Sequence, residues 1–241
     1  MKTIKKHMIA ASCLSMLFAG ASQAQSGLYV GINVGDSDLS GINTVSSEQV
    51  AGVSRTLDID TDSDTSVGFK IGYTVLGDQD KNRFSIELYY QDSEHDVENV
   101  VFQGNDFDAD LGTAEGSLDI ETILIRATYQ FELGAIDPYI GIGIGESELD
   151  ADVRYGGSIG TPSGSQPPFA FGSDSATAIE FRLGAEYSIT KQLGVFLEYT
   201  YTTVDDITFS RIGGGPGGLA TTQHSDDFDV DAINLGLNFK F

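Results

Sequence analysis

Cysteine is almost absent from this chain. The single thiol, Cys13, falls in a short apolar stretch near the N-terminus. One cysteine cannot form an internal disulfide, and beyond Cys13 there is no thiol for a metal or a nucleophile. This suits an oxidising envelope compartment. Leu14-Ser15 follows Cys13, so the position is not a lipid-attachment cysteine. Tryptophan is missing, which leaves interfacial aromatic contacts to 10 Tyr and 14 Phe. Basic residues are scarce: 13 Lys and Arg stand against 36 Asp and Glu, for a formal net charge of −23. That balance argues against nucleic acid and anionic membrane surfaces as partners and favours divalent cations or basic molecules. Long apolar runs are lacking as well, and no segment reaches the ~20 apolar residues of a spanning helix.

Both ends of the sequence carry signals. Met1-Lys-Thr-Ile-Lys-Lys-His7 is basic, Met8 to Gly20 is apolar, and Ala21-Ser-Gln-Ala24 is a small-x-small cleavage site. The order predicts a secretory signal peptide over residues 1–24, with the mature domain spanning 25–241. Losing Lys2, Lys5 and Lys6 leaves 36 acidic against 10 basic side chains. At the other end, Ile233-Asn-Leu-Gly-Leu-Asn-Phe-Lys-Phe241 alternates apolar and polar residues with period two. A strand facing lipid needs no further cover for such an apolar face, whereas a soluble strand does.

Seven more segments alternate in the same way: Gly27–Leu39, Thr65–Leu76, Arg83–Val97, Ser117–Leu133, Pro138–Asp150, Ser175–Ile189 and Leu193–Ile207, with Phe228–Phe241 closing the set. No long segment has helical periodicity. Short links (Gly77–Asn82, Gly134–Asp137, Thr190–Gln192) alternate with long polar ones (Ser40–Asp64, Glu98–Gly116, Ala151–Asp174, Thr208–Asp227). In an up-and-down sheet this puts every short turn at one end and every long loop at the other, as in outer-membrane barrels. The strand content of 151–174 stays open at this stage. The expected fold is all-β: an eight-stranded antiparallel up-and-down transmembrane β-barrel.

Each segment holds an apolar run on one face that no charge interrupts, for example Val67, Phe69, Ile71, Tyr73 and Val75, or Leu193, Val195, Leu197, Tyr199 and Tyr201. Alternation by itself also permits a soluble barrel with an apolar lumen. Eight strands, however, enclose an interior just wide enough for side chains, a poor place for so many Phe, Tyr and Ile. The opposite face carries Lys70, Glu87, Arg126, Glu180, Arg182, Glu186, Glu198 and Lys240. Four cations against four anions predict a paired lumen network, because buried charge is tolerable only when paired and hydrogen-bonded. A filled interior reads as a rigid core; the alternative is a narrow, low-conductance channel.

Asp137-Pro-Tyr-Ile-Gly-Ile-Gly-Ile-Gly145 resembles the PYxGxGxG strand of small OmpA-like and opacity-type outer-membrane barrel proteins, and Val195-Phe-Leu-Glu-Tyr-Thr-Tyr201 resembles their penultimate strand. The resemblance implies a barrel folded from the periplasm by the barrel assembly machinery, with Phe239 and the terminal Phe241 as its assembly signal. It also implies a role as surface antigen, adhesin or envelope scaffold, with outer-membrane lipid, lipopolysaccharide and host or surface ligands as partners. No peptidoglycan-binding domain is expected after Phe241.

Other motifs carry less. Gly141-Ile-Gly-Ile-Gly145 has strand spacing and no following helix, so it predicts close backbone packing rather than nucleotide binding. Asp58, Asp60, Asp62 and Asp64 alternate, but without the glycine and glutamate of an EF-hand loop. They form either a solvated acidic rim or a weak Ca²⁺ or Mg²⁺ site; no other cofactor is expected. His95 and His224 are expected on the polar outer rim. Ser93 and Ser225 lie beside them, but adjacent loop residues do not make a triad. A lipid A-modifying enzyme therefore ranks below a non-enzymatic role. Gly213–Gly218 and the Pro162–Pro168 stretch predict mobile outer loops.

Overall fold

Backbone groups inside a bilayer must all be paired within the protein, so a sheet can cross only if it closes on itself. The computed structural model describes residues 27–40, 43–46, 55–77, 82–104, 107–110, 114–155, 168–215 and 218–241. Its elements are β1 Leu28–Ser40, β2 Asn43–Ser46, β3 Arg55–Thr61, β4 Asp64–Gly77, β5 Asn82–Gly104, β6 Phe107–Asp110, β7 Ala114–Phe131, β8 Ile136–Tyr155, β9 Pro168–Ser188, β10 Leu193–Gly215 and β11 Gly218–Lys240. Eight of them form a closed antiparallel ring in the order β1-β4-β5-β7-β8-β9-β10-β11. The closing seam runs from Tyr29 opposite Lys240 to Ser40 opposite Asp229. β3 pairs with β5 above the end of β4, while β2 and β6 pair at its margin. The signal-peptide segment 1–24 lies outside the described residues.

The expected eight strands are present, and β5, β8, β9, β10 and β11 run well beyond the segments that the alternation marked. β10 continues to Gly215 and β11 begins at Gly218, so the supposed loop Thr208–Asp227 is mostly a paired hairpin with only 216–217 between its arms. Segment 151–174 holds no additional strand among its described residues; β8 and β9 extend into it and pair with each other. The Pro162–Pro167 stretch lies outside the described residues. Polarity was the wrong guide to loops here. A strand that leaves the bilayer meets water, so its outward residues turn polar without the strand ending.

The outward face carries the apolar belt. Ile125, Ile142 and Ile233 are 61%, 64% and 60% exposed, as lipid-facing residues are in the absence of lipid. The belt ends where Asp92 lies opposite Glu121, and Glu121 opposite Glu148. Below, Phe239 packs edge-on to Phe241, with ring centres 5.1 Å apart. On β11 the belt covers roughly the nine or so residues that a tilted membrane strand needs.

Candidate functional site

The structure places all eight predicted lumen charges on the inward face, and it brings seven into ion pairs. Arg126 pairs with Glu180 and lies 3.6 Å from Glu198. Arg182 pairs with Glu87, and its Nε is 3.2 Å from Glu198 Oε2. Lys240 pairs with Glu186 at the lower mouth. Glu198 thus joins the two arginines. Lys70 joins no ion pair among the described residues; its ammonium sits 3.8 Å from the centre of the Phe196 ring.

Aromatic residues inside the barrel were missed at the sequence level. Tyr29, Tyr89, Tyr139 and Phe196 are all buried. Tyr29 donates to Glu87 (2.5 Å) and Tyr139 to Glu198 (2.9 Å). Arg126 stacks over the Tyr89 ring at 3.1 Å. Asn33 Nδ2 donates to Asn234 Oδ1 at 2.9 Å. Glycines make room for these long groups: a Cβ on Gly31 would stand 2.6 Å from Lys70 Cε, and one on Gly141 2.9 Å from Arg182 Cγ. The run Gly141–Gly145 is therefore a lumen lining, with Arg126 and Arg182 laid across it.

Above the belt the two faces exchange character. Leu39, Leu118, Ile120, Leu149, Val153, Val204, Ile207, Phe228 and Val230 pack together inside, while Asp36, Asp38, Glu94, Glu148, Asp152 and Asp205 face outward into solvent. The inward face is therefore polar only within the height of the belt, and apolar above it. The switch needs no bulge on β7 or β8. The doublets Glu121-Thr122 and Glu146-Ser147 shift apolar residues from one parity to the other, and that was the available signal. On β10 the irregularity between Val204 and Ile207 keeps both side chains inside.

His95 was expected on the solvated rim, but it lies inside the upper barrel and is fully buried. Its Nε2 is 3.2 Å from Ser93 Oγ and 3.4 Å from Ser37 Oγ, and its Nδ1 faces the Asp62 carbonyl at 3.5 Å. Burial lowers its pKa from the ordinary 6.5, against the opposing pull of the Asp62 carbonyl and the Asp64 and Asp38 carboxylates. The alternation of Glu94-His95-Asp96 puts His95 on the opposite face from its acidic neighbours, and closure of the ring makes that face interior. His224 lies on β11, and its side chain is outside the described set.

Of the acidic candidates, the side chains of Asp58 and Asp60 on β3 are likewise not described. Asp62 is exposed and Asp64 half-buried. Among the described residues, no group of three or more His, Asp or Glu converges as metal ligands. At the short-turn end the lumen widens into a cavity of about 230 Å³ between the charge network and the lower mouth.

A family model for the outer membrane protein beta-barrel domain matches residues 9–241. The chain belongs to the outer-membrane protein β-barrel family. No curated protein matches it in sequence. Among solved structures, the outer membrane protease OmpT from Escherichia coli is similar over 91% of this chain and 99% of its own, at 9% identity and a TM-score of 0.56. Neisserial surface protein A is similar over 90% and 98%, at 16% identity and 0.49. The attachment invasion locus protein Ail of Yersinia pestis is similar over 90% and 100%, at 14% identity and 0.45. The OmpT likeness is one of barrel fold, and nothing about chemistry follows from it.

Proposed function

We propose that this outer-membrane barrel is a closed, non-conducting and non-catalytic envelope protein that works through its outer surface. The observation that carries this reading is the doubly filled lumen. A pore needs a continuous polar path, and here a paired charge network in the lower half is capped by a packed apolar core in the upper half. The Ser37, Ser93 and His95 cluster supports a structural role for the histidine. All three side chains are buried, and the ring faces a carbonyl where a triad has a carboxylate.

The outer wall above the belt is the candidate contact surface. Its carboxylates stand in rungs across three strands: Asp92, Glu121 and Glu148 in one, Glu94, Asp119 and Asp150 in the next. Such a wall favours basic partners, or Ca²⁺ and Mg²⁺ bridging to lipopolysaccharide phosphates. Export by the leader at 1–24 and assembly through Phe239 and Phe241 belong to the same reading.

Planar-bilayer recording tests it. The expected trace is silent; steady discrete conductance overturns closure in favour of a narrow channel. EDTA and salt titrations of binding to lipopolysaccharide vesicles test the wall. Unchanged binding removes the cation bridge.

A further inference from the structure

The lower cavity gathers four basic side chains in a strongly acidic protein. Lys70, Arg83, Arg182 and Lys240 line it together with Glu87, Glu186 and Phe241, in a protein of net charge −23. Three of the cations are engaged: Arg182 with Glu87 and Glu198, Lys240 with Glu186, and Arg83 with Glu132 and Asp137. Lys70 is not. It is 2% exposed, and among the described residues neither a hydrogen bond nor an ion pair reaches its ammonium. The Phe196 ring compensates the charge in part and leaves the ammonium's N–H groups free to donate to a guest.

Two more groups on the lining lack partners. Thr128 is 6% exposed, and its Oγ1 has no hydrogen bond; Gln130 Nε2, on the same face of β7, has none either. An ammonium, a hydroxyl and a carboxamide N–H share one property: each donates. Three donors converging on one cavity suit a guest with anionic oxygens. Asn238 Oδ1, the unpartnered acceptor of the lining, suits a protonated oxygen on such a guest.

We propose that this vestibule binds a small oxyanion, a carboxylate or inorganic phosphate, held by Lys70 with Thr128 and Gln130. The volume of about 230 Å³ is below the ~300 Å³ at which pockets for drug-sized ligands begin, so the guest has few heavy atoms. Short turns mark the periplasmic end of outer-membrane barrels, and the site opens there. The site is independent of the outer wall and of the closure above it.

The test uses the full chain folded in detergent micelles. Sodium phosphate and sodium acetate are titrated separately against sodium chloride at matched ionic strength, with calorimetry and thermal unfolding as readouts. The expected result is saturable binding and stabilisation by phosphate or acetate but not chloride, with the tighter of the two naming the guest. The apparent Kd weakens at least tenfold in Lys70→Met and in Thr128→Val. Thr128→Val nearly preserves volume and decides the matter alone if Lys70→Met does not fold. Thr177→Ser, on the exposed outer face, is the control and binds as the parent does. A response equal to that of chloride, or one unchanged in Thr128→Val, overturns the proposal and leaves a water-filled vestibule.

Discussion

Gly141 on β8 lies directly opposite Arg182 on β9, and the arginine stem crosses the space where a side chain at 141 would begin. A Cβ there would stand 2.9 Å from Arg182 Cγ and 2.8 Å from the Ala127 carbonyl oxygen. The second contact is backbone, so a flexible side chain cannot relieve it alone. Gly141→Ala is expected to destabilise the barrel by about 1–3 kcal/mol, the usual cost of overpacking. Urea unfolding followed by heat-modifiable gel mobility measures this. A variant as stable as the parent refutes the packing role.

The shared carboxylate of Glu198 makes the network sensitive to removal of a single partner. Arg126→Leu leaves Glu180 and Glu198 buried with less compensation, which costs about 3–5 kcal/mol. Adding Glu180→Leu removes one of the stranded charges, so the double variant is expected to unfold at higher urea than Arg126→Leu alone. The two single variants and the double form a cycle whose coupling energy isolates the pair. Purely additive losses argue against it.

The upper apolar core should respond to truncation as a protein interior does, unlike the belt. Leu118 is 1% exposed inside, whereas Leu197 is 56% exposed toward lipid. Leu118→Ala is expected to cost about 2–5 kcal/mol through lost burial and a cavity. Leu197→Ala faces fluid lipid that fills the space, and its loss is smaller. Equal losses in the same unfolding assay contradict the plug.

His95 gives the upper barrel a pH dependence of definite sign. Its pKa in the folded barrel is lowered from 6.5 by burial, so the unfolded chain binds the proton more readily. Stability from this group is present above about pH 6.5, and it declines as pH falls through that value toward the depressed folded pKa. His95→Gln is expected to flatten the pH profile of unfolding in that window relative to the parent. Superimposable profiles for the two proteins between roughly pH 5 and 7 count against a titrating, buried His95.

The parity of each strand was legible because every segment holds an apolar run on one flank that no charge interrupts. That placed Lys70, Glu87, Arg126, Glu180, Arg182, Glu186, Glu198 and Lys240 together on a single face. The same parity turns Tyr89 and Phe196 inward, but does not say what they touch there. Tyr89 lies between Leu88 and Tyr90, and Phe196 between Val195 and Leu197; their stacking with Arg126 and Lys70 depends on strands distant in sequence. His95 was misplaced because a polar neighbourhood describes the outside of the wall there, not the inside.

By itself, then, the sequence determined that this protein is a closed barrel in lipid, and which charges it encloses. Period-two alternation is a local property, and hydrocarbon permits a sheet no open edge. Only the tertiary structure decided which charges meet. Arg126 reaches Glu180 and Arg182 reaches Glu87 across sequence separations of 54 and 95 residues. Such distant contacts depend on the register of every intervening strand pair and on the stagger that closes the ring. The same closure turned a polar rim into a wall with an apolar inside, because a ring has an interior and a single strand has only two faces.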